Sequence, residues 1–169
     1  GLDEAWDIGY CDNCGPVARN FRGEQQLFLD VINFCHEIVA GKLGRRVMMW
    51  DDMFEYYSEI LPEVPRDVIM VCWQYQMDVR FIKGHFDNLS CEHKLAEYNR
   101  LGFETVIGPA DYSTANIRTI HEYAKPYAPW GMLVTSWEKK HSFRSKLLPA
   151  VISGGRLCSY YPNKDQDIF

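Results

Sequence analysis

The sequence predicts an α/β protein built around a parallel sheet. Three observations carry that reading. From residue 24 onward, helix-period segments alternate with short apolar runs; those runs are apolar without a polar face; and each ends in aromatic and acidic residues. Strands that bury both faces between helices belong to parallel sheets.

Gly23-Glu24 opens the first long helix, in which Phe28, Val31, Ile32, Cys35, Ile38 and Val39 recur at three- and four-residue spacing. Gly41 or Gly44 ends it, and Arg45-Arg46 leads into the strand Val47-Met48-Met49-Trp50. A second helix runs from Met53 to Ile60 and is closed by Pro62 and Pro65. The next strand, Asp67-Val68-Ile69-Met70-Val71-Cys72-Trp73, is strongly apolar, and residues 75–89 after it make a loop long enough for a functional role. A helix over 91–100, stopped by Gly102, precedes the strand Glu104-Thr105-Val106-Ile107. Beyond the loop Asp111–Ser113, the residues Ile117, Ile120, His121 and Ala124 mark one helical face. The last strand, Gly131–Ser136, leads to a helix carrying Phe143, Leu147 and Val151.

Gly1-Leu2 reads as the end of one more strand at the start. Nothing marks a linker, a second domain or low complexity, so residues 1–169 read as one domain. A closed (β/α)8 barrel takes roughly 250 residues, and this chain corresponds to a little over half of one. It begins without an initiator Met or a signal region, so an upstream portion is expected.

The composition narrows the partners. Eighteen Lys and Arg stand against 23 Asp and Glu, giving a net charge of −5 with no basic block. That disfavours a nucleic acid, whose phosphates need a clustered cationic surface. No apolar run approaches the roughly 18–20 residues needed to cross a bilayer, so a soluble protein without a membrane partner is expected. Of the six cysteines only Cys11 and Cys14 are close together, and reduced thiols are expected. Aromatics are plentiful, with five Trp, ten Tyr and nine Phe.

The informative feature is where those aromatics fall. The strand ends carry Asp3-Glu4-Ala5-Trp6, Trp50-Asp51-Asp52, Trp73-Gln74-Tyr75, Asp111-Tyr112 and Trp137-Glu138. In parallel α/β folds these ends converge on the face that bears the site. Aromatic faces with a few carboxylates suit a pyranose, whose C–H surface stacks on rings while acids bind hydroxyls and move protons. Asp3 and Glu4 are the candidate chemical pair: mutual repulsion and aromatic desolvation would raise one pKa, letting one acid and one base coexist.

Gly1-Leu2-Asp3-Glu4 resembles the end of the His-x-Gly-Gly-Asp-Glu motif of family 20 glycoside hydrolases, the β-N-acetylhexosaminidases. Trp50-Asp51-Asp52 is similar to that family's Trp-(Gln/Asp/Asn)-(Asp/Glu) signature. Gly108-Pro109-Ala110-Asp111-Tyr112 and Ser136-Trp137-Glu138 fall where the family has its Tyr-bearing loop and its closing Trp-x-Glu. Leu2 replaces the motif's second Gly, no Tyr-Leu-Asp follows Asp111, and Trp137-Glu138 lacks the intervening residue, which looks like a divergent branch.

The resemblance implies a TIM barrel whose fourth strand ends at Asp3-Glu4, so that the chain holds strands 4 to 8 and the missing N-terminal half is its partner. It also implies a retaining, substrate-assisted mechanism without a cofactor, acting on a glycan or amino-sugar substrate. Glu4 would protonate the glycosidic oxygen and then activate water. Asp3 would orient the substrate's 2-acetamido group as it forms an oxazolinium intermediate. Trp50, Trp73 and Trp137 would wall the sugar; Tyr112 or Tyr75 would meet the acetamido carbonyl; Asp52, Asp111 and Glu138 would also contact substrate.

Other readings stay open. Cys11-Asp12-Asn13-Cys14 has the gap of a zinc knuckle, which Cys91 and His93 could complete. A thioredoxin-like role is disfavoured because Cys11 follows no complete strand and the intervening Asp12 should oppose a thiolate. A sugar-binding relative without catalysis, or a glycosidase with Asp52 or Glu138 as nucleophile, would use the same strand ends. His36 and His121 read as packing or surface residues, and Lys139-Lys140-His141 as a solvated turn.

Overall fold

The computed structural model of the chain describes residues 3–80, 94–137 and 143–158. Gly1-Leu2, Cys91, His93, Glu138 and the run 139–141 fall outside them, as does most of the loop expected over 75–89.

The described residues form a mixed α/β structure. Its centre is a three-stranded parallel sheet of β1 (Met48–Trp50), β2 (Ile69–Trp73) and β3 (Glu104–Gly108), in that spatial order. Met48 pairs with Ile69 and Trp50 with Val71; Ile69 pairs with Glu104 and Trp73 with Gly108. The helices are α1 (Gly15–Ala18), α2 (Gly23–His36), α3 (Met53–Tyr56), α4 (Lys94–Leu101), α5 (Thr114–Ala124) and α6 (Leu148–Cys158). A π-helical stretch, Glu37–Lys42, prolongs α2, with the Leu43 N–H reaching back five residues to the Ile38 carbonyl. A 3₁₀ turn, Ser58–Glu63, extends α3, and a second π-helical stretch, Phe143–Leu147, leads into α6.

The expected strand Gly131–Ser136 lies parallel along the free edge of β3 but is interrupted. Ile107 N–H donates to the Gly131 carbonyl (3.1 Å) and Asp111 N–H to the Thr135 carbonyl (2.9 Å). Between them the ladder needs a donor at residue 109, which is Pro and has none. Two isolated bridges, Ile107–Met132 and Ala110–Thr135, replace a regular strand.

β2 is buried on both sides, and its side chains alternate between two clusters. Met70 and Cys72 join a large core with Phe28, Ile32, Phe54 and Tyr98, supplied by the helices. Ile69 and Val71 face the other way, with Val106 and the partly buried Trp50 and Trp130. The inward stripe of α2 is Phe28, Leu29 and Ile32, whereas Val31, expected on it, is exposed. Arg22 enters α2 with a left-handed backbone, and Gly23 follows it where a Cβ would stand 2.0 Å from the Val17 carbonyl oxygen, so only glycine lets α1 and α2 meet.

α5 starts on Ser113, whose Oγ accepts the Ala115 N–H at 3.1 Å. Its inward face holds Ile117, Ile120, His121 and Ala124 as expected, and also the wholly buried Asn116.

Candidate functional site

The C-terminal ends of β1, β2 and β3, the edge segment and the N-terminal residues meet around one cleft of about 290 Å³. Asp3, Glu4, Trp50, Trp73, Tyr75, Tyr112 and Trp137 line it. Seven of the residues expected at the site from the sequence are thus brought together. Asp52 and Asp111 do not line the cleft, and Glu138 lies outside the described residues.

Asp52 is fully buried beneath the cleft. Its Oδ2 accepts the Glu4 backbone N–H at 2.7 Å and its Oδ1 accepts Trp73 Nε1 at 3.1 Å. The carboxylate therefore ties an acidic residue of the cleft to an aromatic wall. Glu4 itself sits in the left-handed region (φ 47°), which non-glycine residues adopt only when their surroundings hold them there. Asp51, also buried, accepts the Trp73 N–H at 3.3 Å. Burial first, and then the Asp51 carboxylate, push the Cys72 thiol and the Tyr98 hydroxyl well above their ordinary ranges, so both stay protonated beside it.

Tyr75 is the aromatic hub. Its ring lies 4.7 Å from Trp73, 5.9 Å from Tyr112 (edge to face) and 6.4 Å from Trp137. Its hydroxyl oxygen accepts from Trp137 Nε1 at 3.0 Å and lies 3.1 Å from Thr135 Oγ1, whose single proton is shared with the Pro109 carbonyl, also 3.1 Å away. Burial raises its pKa, the hydrogen bonds with Thr135 and Trp137 lower it, and the charges of Tyr112 and Asp3 raise it; the net shift is upward. With Trp137 Nε1 donating to its oxygen, the Tyr75 hydroxyl turns its own proton to Thr135 Oγ1 or to an acceptor in the cleft.

Three supporting residues are not evident from the sequence. Asn116 donates to the Gln74 and Gln76 carbonyls (2.8 and 2.5 Å), which flank Tyr75, and accepts the Ala110 N–H at 3.0 Å. One side chain thereby holds the loop after β2 to the loop after β3. The visible signal is a polar residue on the apolar face of α5. Gly108 is the second: a Cβ there would come within 3.1 Å of the Trp50 ring, so its absence gives that indole room. The third is Ser136, whose Oγ donates to Asp111 Oδ2 at 2.5 Å; among the described residues none bonds to Asp111 Oδ1.

Of the four suggested zinc ligands, Cys91 and His93 lie outside the described residues, and among those described no group of three metal-binding side chains assembles. Cys11 and Cys14 adjoin on a surface turn, with Cys14 N–H donating to Cys11 Sγ at 3.2 Å. The expectation that Asp12 opposes a thiolate is corrected here. The Cys14 thiol, then the Cys14 backbone N–H, donate to the Cys11 sulfur, and its pKa is lowered in spite of the neighbouring Asp12.

Compared with protein-family models and with curated protein sequences, the chain gives no match.

Proposed function

We propose that this protein removes terminal β-linked N-acetylhexosamine from glycans by a retaining, substrate-assisted reaction, and that the chain is the C-terminal part of a (β/α)8 barrel. The observation that carries the reading is the single cleft in which the adjacent carboxylates Asp3 and Glu4 face three tryptophans and two tyrosines.

Glu4 is the general acid that protonates the departing glycosidic oxygen, and then the base that activates water. Asp3 holds the N–H of the 2-acetamido group, so that its carbonyl oxygen attacks the anomeric carbon and closes an oxazolinium ring. Tyr75 donates its proton to that carbonyl oxygen; the indole N–H that Trp137 donates to its oxygen supports this role over Tyr112, which packs edge-on against it. Trp50, Trp73 and Trp137 cover the apolar faces of the sugar.

A protein carboxylate acting as nucleophile is a weaker reading for Asp52, because both its oxygens are engaged below the cleft. The test is the full-length protein assayed on chromogenic N-acetylglucosaminide, N-acetylgalactosaminide and plain glucoside. Cleavage of an N-acetyl substrate with the glucoside untouched is expected, and Glu4→Gln should abolish it. Equal rates on N-acetylglucosaminide and glucoside would overturn the substrate-assisted mechanism; binding without turnover would leave a lectin-like relative.

A further inference from the structure

A second chemical centre lies on the chain just beyond Glu4, in the turn that leads into α1. Cys11 is exposed and Cys14 half-buried. The turn is closed by the Gly15 N–H on the Cys11 carbonyl (2.8 Å), and the Val17 and Ala18 N–H groups continue it on the Cys14 carbonyl. Residues three apart on such a turn hold their β carbons ~5–6 Å apart, and a disulfide needs ~3.5–4.5 Å. The remaining approach is small, and Cys11 Sγ already folds back onto the Cys14 N–H. Beside Cys11 opens a polar cleft of about 520 Å³ whose wall includes Tyr10, Asp12, Arg19 and Glu24. The Arg19 guanidinium lies over Gly15, 3.3 Å from where a Cβ would stand.

We propose that Cys11 and Cys14 form a reversible dithiol–disulfide site that exchanges with a small peptide disulfide, glutathione disulfide. Arg19 can receive a glutathione carboxylate, while Asp12 and Glu24 suit its ammonium group. In the first step the Cys11 thiolate attacks one sulfur of glutathione disulfide; a Cys11–glutathione bond forms, and one glutathione thiolate leaves and takes up a proton. Cys14 then loses its proton to water and attacks the Cys11 sulfur, expelling the second glutathione. The protein dithiol is oxidised by two electrons and one glutathione disulfide is reduced to two thiols.

The attacking sulfur is set by geometry: the Cys14 backbone N–H donates to Cys11 Sγ at 3.2 Å and favours the thiolate there, on the more exposed of the two cysteines. The site is independent of the hydrolytic reading above, since neither sulfur lines the aromatic cleft.

Trypsin releases both cysteines in one peptide ending at Arg19, so mass spectrometry of the full chain reads the site directly. After exposure to glutathione disulfide, that peptide should be lighter by two hydrogens and closed to alkylation at both cysteines, and reduced glutathione should reopen it. Cys14→Ser should stop at a Cys11–glutathione adduct, and Cys11→Ser should carry none at Cys14. The proposal is overturned if both thiols stay alkylatable in the unsubstituted protein, or if a Cys11 adduct persists there with Cys14 free. Protection of both cysteines that only EDTA removes would also overturn it, by identifying a metal-holding pair.

Discussion

Replacing Asn116 by Ala deletes three hydrogen bonds at once. The Gln74 and Gln76 carbonyls and the Ala110 N–H lose their partner, while the hole left by the amide is small. A buried polar group stranded in this way costs about 1–3 kcal/mol, which sets a ceiling of about 3–9 kcal/mol for three. Gln74 and Gln76 are only half-buried, so water can reach their carbonyls and the expected loss is about 2–4 kcal/mol. Urea unfolding should show a lower midpoint at unchanged slope. Because Tyr75 sits between the two released carbonyls, hydrolysis should fall with it by roughly 10²-fold, the scale on which an ångström of misplacement acts.

Asn116→Asp sharpens the test. A carboxylate can still accept the Ala110 N–H but faces two carbonyl oxygens with no proton to offer. It should therefore be at least as unstable as the Ala variant at neutral pH and recover as the pH falls, since the protonated acid can donate to one carbonyl. The sign follows from linkage: the folded state raises this carboxyl's pKa, so its stabilising proton is lost as pH rises. An Ala variant within about 0.5 kcal/mol of the parent, or an Asp variant equal to it, would refute the bracing role.

Three further outcomes follow from the same packing. Asp52→Asn leaves one oxygen for two donors, Glu4 N–H and Trp73 Nε1, so kcat should drop about 10-fold to 10²-fold with KM changed less; unchanged kcat would show that the brace is dispensable. Gly23→Ala must separate α1 from α2 to clear the Val17 carbonyl and should cost about 3 kcal/mol in urea unfolding, whereas the same substitution at an open helical glycine is expected to stabilise. Burial of His121, opposed by Glu122 and assisted by Lys125, lowers its pKa below 6.5. The unfolded chain then binds the proton first, so stability should hold above pH 6.5 and decline as pH drops below it; His121→Leu should flatten that decline in thermal melts.

The helix faces and strand ends could be read from the sequence because each is written in local spacing. Phe28 and Ile32, Ile117 and Ala124 repeat with the helical period, β1 and β2 stop in Trp, and Asp111-Tyr112 follow β3 by three residues. What could not be read depends on partners distant in the chain. Pro109 looks like an ordinary loop residue until the Gly131–Ser136 segment lies against it and misses a donor. Val31 fits the α2 stripe by spacing, but no element among the described residues covers it. Asp51 and Asp52 look alike beside Trp50, and only the arrival of Glu4, Trp73, Tyr98 and Cys72 from elsewhere gives each its place.

That arrival divides the acidic residues between two tasks. Asp51 and Asp52 are inside the protein and are satisfied by backbone and indole N–H groups, which holds an anion in place without substrate. A carboxylate so engaged is a poor nucleophile, because attack would first strip it of the donors that fix the cleft wall. Asp3 and Glu4 line the open cleft instead, and Glu4 reaches it through a backbone conformation that Asp52 helps to secure. Among the described residues the cleft's carboxylates are this one adjacent pair. On the function proposed above, the nucleophile is carried in by the substrate as its 2-acetamido group.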